Sequence, residues 1–109
     1  MKEISSQLIS DTVRELLIEA NYVIGPDVEA RMRMCLQEEP SPEGRDVMEQ
    51  ILQNYEIARS ERVAICQDTG MAVVFLDVGQ DAHIQGDLNE AVSDGVRREI
   101  GRASCRERV

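Results

Sequence analysis

Pro40 and Pro42 forbid one continuous helix over the first sixty or so residues of this chain. Each proline fixes φ, removes a backbone donor and pushes the residue before it out of the helical region, so Glu38-Glu39-Pro40-Ser41-Pro42-Glu43-Gly44 reads as a connector. Upstream, Ile4, Leu8, Val13, Leu16, Leu17 and Ala20 recur mostly at three- and four-residue intervals, which predicts a helix from Ile4 to Ala20 capped by Ser5 or Ser6. Gly25 and Pro26 end that run and open a second helix, from Pro26 to Gln37, with proline at its tolerated first position. Downstream, Val47, Met48, Ile51, Leu52, Tyr55 and Ala58 form the cleanest helical pattern, placing a third helix over Pro42 to Ser60. The expectation is three short helices packed as one layer.

After Val63 the pattern changes. Met71-Ala72-Val73-Val74-Phe75-Leu76-Asp77-Val78 is rich in β-prone residues and bounded by Gly70 and Gly79, which predicts a buried strand. Ala82-His83-Ile84-Gln85 reads as a second short strand, and Asp87 as the cap of a helix through Ala91, Val92 and Val96. The fold class is therefore α+β: a helical N-terminal layer leading into a loop and strand, in a domain that reads as truncated. Aromatic residues make up only 3%, without tryptophan, so the core must be aliphatic and methionine-bearing.

The formal net charge of −9, from 12 basic and 21 acidic residues, repels a phosphate backbone and makes nucleic acid a poor partner. Near Met1 there is no apolar stretch of the kind a signal peptide needs, and no run long enough to span a membrane, so the expected location is the cytosol. Cys35, Cys66 and Cys105 are too few and too widely spaced for a disulfide framework and suit a reducing compartment.

Cys66 lies between the third helix and the β-prone run, followed by the polar pair Gln67-Asp68 and by Thr69-Gly70. Spacing alone leaves two readings open: a small buried hydrophobe, or a thiolate on backbone that Gly70 lets approach a ligand closely. The segment Ile65-Cys66-Gln67-Asp68-Thr69-Gly70-Met71-Ala72-Val73-Val74-Phe75, with Gly79-Gln80-Asp81 beyond, resembles the cluster-binding segment of class I fumarate hydratases and of tartrate dehydratase alpha subunits. The likeness extends to Glu19-Ala20-Asn21-Tyr22, to Asn54-Tyr55-Glu56-Ile57-Ala58-Arg59 and to Gly95-Val96-Arg97-Arg98.

This resemblance implies a 4Fe-4S cluster held by three cysteines, with Cys66 the first of them. It implies that Gln67 binds a substrate carboxylate, and that Asp68 orients the substrate hydroxyl or moves a proton. The implied reaction is reversible hydration of a small dicarboxylate, fumarate/malate or tartrate. The remaining ligands are expected farther along a complete subunit, so the chain reads as an N-terminal fragment, inactive alone. Its expected partners are a beta subunit or C-terminal domain and further copies of itself. The rival reading is a non-enzymatic acidic helical module that docks on another protein.

Other reactive side chains have plainer readings. Cys35 shares an apolar face with Met32 and Leu36 and reads as core. His83, the single histidine, reads either as a hydrogen-bond donor behind a ligand or as a strand residue facing solvent, and one histidine with two credible cysteines cannot close a zinc site without carboxylates. Arg97 and Arg98 read either as groups that approach a dianionic substrate or, more plainly, as surface charge late in a helix. The stretch from Ile100 to Val109 translates a common short-read sequencing adapter in frame, and Glu99 shares its codon with that adapter. Residues 1–98 are therefore expected to be the authentic part and 99–109 read-through, with glycine after Arg98 in the uninterrupted gene and Cys105 outside every site.

Overall fold

The computed structural model describes residues 2–66 and 71–100. Its elements are β1 (Lys2–Ser5), α1 (Ser6–Tyr22), α2 (Pro26–Glu38), α3 (Pro42–Glu61), β2 (Ala82–Gln85) and α4 (Leu88–Ile100). The mixed α+β class stands. The chain divides into two compact units, the first from its N-terminal stretch through Glu19 together with the part beyond Cys66, the second from Ala20 to Cys66.

In the first unit β1 and β2 pair in parallel, with Ile4 opposite Ile84 and Glu3 opposite His83. A second tie is the Lys2 amide, which donates to the Asp81 carbonyl at 2.8 Å. A helix follows β1 at once and β2 after two residues, and each helix start is capped: the Leu8 amide donates to Ser5 Oγ and the Glu90 amide to Asp87 Oδ1. Gly86, between β2 and α4, has φ of +103°, where a side chain would be strained and would meet Ser6.

Gly95 sets how α4 meets α1. A Cβ there would lie 2.7 Å from the Ser10 carbonyl and 2.8 Å from Val13 Cβ, so only a glycine permits this approach. The buried face of α1 consequently runs through Ser10, Val13 and Ile18, while Leu8 and Leu16 of the expected apolar stripe stand exposed. Close backbone approach, rather than apolar content, chose that face. Buried Ser10 is satisfied by donating to Asp94 Oδ2 at 2.6 Å and accepting from Arg98, which also pairs with Asp11 at 2.7 Å.

In the second unit α2 packs on α3. Ser41 caps α3 by accepting from the Gly44 amide, and Pro42 takes the first helical position. Leu52 and Ala58 are buried on α3, as its periodicity requires, whereas α2 buries none of its residues. Glu29 accepts from Arg33 of its own helix at 3.0 Å and from Arg59 of α3 at 3.4 Å, and Arg59 also pairs with Glu56. Bonds to the two guanidiniums, Arg33 first, hold the Glu29 carboxyl below its ordinary range.

Two expectations are corrected. The run from Met71 to Val78 forms no strand, and its large side chains are exposed, Met71 at 86% and Phe75 at 92%. Among the described residues nothing exchanges a hydrogen bond with this run. β propensity measures fit to a neighbouring strand, and among the described residues no strand lies beside this run. Conversely β1, which carries a single apolar residue, exists because β2 supplies its ladder.

Candidate functional site

The backbone that presents Cys66 is shaped by the end of α3. Arg62 caps that helix in the left-handed region, at φ 57° and ψ 44°, and its amide and that of Val63 both donate to the Ala58 carbonyl. Left-handed backbone is unusual for a residue with a side chain. What favours arginine here is the Tyr22 ring at the end of α1, over which the Arg62 guanidinium sits 4.8 Å from the centroid.

From that turn the chain reaches Ile65, which is tied on both sides. Its amide donates to the Asn21 carbonyl at 2.8 Å, and its carbonyl accepts from Asn54 Nδ2 at 2.8 Å. The next residue, Cys66, is exposed and its thiol is free of any disulfide. The alternative that spacing had left open, a buried hydrophobic cysteine, is therefore not what the fold contains. Gln67 and Asp68, the other two expected site residues, lie outside the described residues.

The segments around Asn21-Tyr22 and Asn54, far apart in sequence, meet at this loop. Neither asparagine was singled out by chemistry, since a carboxamide is itself neither titratable nor nucleophilic. The available signal was that both fall in the segments carrying the family resemblance.

Other candidates separate clearly. Cys35 is half-buried and lines a cleft of about 330 Å³ with Asp27, Val28, Arg31 and Met32, so the core reading is corrected. A helix without a buried residue cannot give its cysteine a full enclosure. His83 is exposed on β2, as expected. Arg97 pairs with Asp94 and Arg98 with Asp11. A second cavity of about 230 Å³ carries Asp87, Glu90 and Asp94 against Arg97, a lining that repels a dicarboxylate. No group of three or more His, Cys, Asp or Glu that could hold a metal occurs among the described residues.

What the loop offers an iron-sulfur cluster is a soft, exposed, reduced sulfur on backbone already fixed by two hydrogen bonds. That donor suits such a cluster as one ligand among several.

The sequence profile described as fumarate hydratase (Fumerase) matches residues 10–109. The chain is also 30% identical over 103 residues to the protein named "Putative L(+)-tartrate dehydratase subunit alpha" of Methanocaldococcus jannaschii. That alignment covers 93% of this chain and 36% of the relative, so the chain spans about a third of its relative's length.

Proposed function

The chain belongs to the fumarate hydratase (Fumerase) family of hydro-lyases, and from that premise we propose that it is the Cys66-bearing portion of a 4Fe-4S-dependent enzyme acting on a small dicarboxylic hydroxy acid. The observation that carries the proposal is the exposed Cys66 on a loop tied at Ile65. When bound, the cluster supplies a Lewis-acidic iron.

In this reading Cys66 is one of three thiolate ligands. Gln67 donates hydrogen bonds to a substrate carboxylate and orients it. Asp68 accepts a hydrogen bond from the substrate hydroxyl and serves in proton transfer, work that an ionised carboxylate at that position can do. The substrate is fumarate/malate or tartrate. A charged dianion must be neutralised to bind; Arg98, Arg59 and Arg33 are already paired with carboxylates, and the reading assigns the basic clamp to a further portion of the enzyme.

We further read the rest of the site as coming from a C-terminal portion or a beta subunit, with oligomerisation of the assembled enzyme in the cytosol. The name of the relative, an alpha subunit, supports a second subunit. So does the exposed apolar run from Met71 to Val78, because contiguous exposed apolar surface of this kind marks a place where another protein surface packs. The chain by itself would then lack dehydratase activity. No described helix is long and apolar enough to cross a membrane.

We also propose that residues 99–109 are read-through, with a glycine after Arg98 in the uninterrupted gene. Resequencing the parent locus tests it, and a clean frame that keeps Glu99 and the ten residues after it would overturn it.

The function is tested on the uninterrupted parent, reconstituted anaerobically with iron and sulfide beside its Cys66→Ala variant. The expected result is that the variant loses cluster absorbance and dehydration of malate and tartrate. Retention of both in the variant sinks the ligand assignment.

A further inference from the structure

We infer that Asn54 is a positioning residue for Cys66: its carboxamide, donating to the Ile65 carbonyl at 2.8 Å, fixes the peptide plane whose other end is the Cys66 nitrogen. The inference rests on the proposed role of Cys66 as a ligand and adds a residue to it.

The geometry follows from the peptide unit itself. The Ile65–Cys66 bond is planar and trans, so holding the carbonyl oxygen toward α3 turns the Cys66 N–H the opposite way and fixes the line along which the Cys66 Cα departs. One bond would leave the plane free to swing about its neighbours. The second, from the Ile65 amide to the Asn21 carbonyl, fixes the preceding plane as well. Two consecutive peptide planes before the thiol are therefore held by different helices, α3 through a side chain and α1 through its last turn.

Asparagine is suited to this place. Its carboxamide is short, so few rotamers are lost in making the bond, and it presents an N–H donor without charge. Arg62 on Tyr22 holds the start of the same loop. A metal-ligating side chain gains affinity when the groups behind it are already ordered, and the ordering here is done by the chain before any cluster arrives.

Asn54→Asp keeps the shape and removes the donor. In the 109-residue chain, amide hydrogen exchange read by NMR should quicken at Ile65 by roughly fivefold, the factor that loss of one net hydrogen bond brings, while the α3 amides around Leu52 stay unchanged. Unchanged exchange at Ile65 would overturn the inference, and faster exchange throughout α3 would mean that Asn54 merely supports its helix.

In the reconstituted parent, Asn54→Asp should release its cluster to a chelator several-fold faster, followed by absorbance, with the melting temperature of the cluster-free protein unmoved. An unchanged release rate also overturns the inference. Arg62→Gly, which keeps a favourable helix end but removes the stack on Tyr22, should quicken exchange at Val63 and Ile65 in the same manner and guards against misfolding of the first variant. If Cys66→Ala keeps the cluster, the ligand reading has failed. If Cys66→Ala loses the cluster while Asn54→Asp alters neither exchange nor release, only the positioning role has failed.

Discussion

The loop from Arg62 to Cys66 and the run from Met71 to Val78 lie close in sequence, and neither belongs to a helix or strand, yet they are held in opposite ways. The loop is short on apolar contacts and rich in directed ones: a left-handed cap, a stacked guanidinium and two hydrogen bonds at Ile65. The run has seven large or small apolar residues and, among the described residues, no hydrogen bond at all. Irregular backbone thus takes its order from where its polar groups are paired. Apolar content alone supplies a tendency to be covered, and covering requires a surface to be covered by.

The comparison breaks most visibly at Phe75. Phe75→Ala should cost about 3–5 kcal/mol in the assembled parent, where the proposed packing buries the ring, and less than about 0.5 kcal/mol in the 109-residue chain. Denaturant midpoints of the two proteins measure it, and equal small changes in both would mean that nothing covers the run. Leu52→Ala, beneath the loop's platform on α3, should cost about 2–3 kcal/mol in the same short chain and loosen Ile65 without altering exchange in the run. Loosening of both segments together would show that they are not held separately.

A smaller effect is expected for Arg62→Gly. Relief of left-handed backbone and loss of the cation–π contact are each worth about 1 kcal/mol, so global stability should move by less than that. The smallest effect is a pH dependence of stability. The carboxyls of Glu29 and Asp11 are held below their ordinary range in the folded chain by arginine, so each contributes stability above its unfolded pKa and loses it as pH falls through its folded one. Acid titration followed by circular dichroism should show weakening that begins below about pH 4, diminished in Glu29→Gln.

The helices were legible in the sequence because their information is local. Pro26 and Pro42 mark two starts, Ser5 and Asp87 supply caps, and the apolar set of α3 contains its two buried positions, Leu52 and Ala58, although Val47 of the same set stands exposed. Less legible was anything that depends on a distant partner. β1 could not be read from Lys2-Glu3-Ile4-Ser5, since its ladder comes from residues 82–85, and the run at 71–78 was read as a strand on propensity that no described neighbour completes. The face of α1 was misjudged for the same reason: Gly95 decides it from the far end of the chain. Cys66 was legible as a candidate through family likeness. Its exposure and its ties to Asn21 and Asn54 were not, because a hydrogen bond between side chain and backbone leaves no periodicity behind.

The parallel pairing of β1 with β2 also dictates an order of events at the ribosome. The second unit is one uninterrupted stretch, so α2, α3 and the Cys66 loop can assemble as soon as they emerge. β1 leaves the tunnel before that stretch and must wait for the whole of it, and for Ala82–Gln85, before it finds a mate. β1 is thus among the last of the described elements to settle, and a nascent chain halted before Gln85 would carry a finished thiol loop while β1 still lacked its ladder.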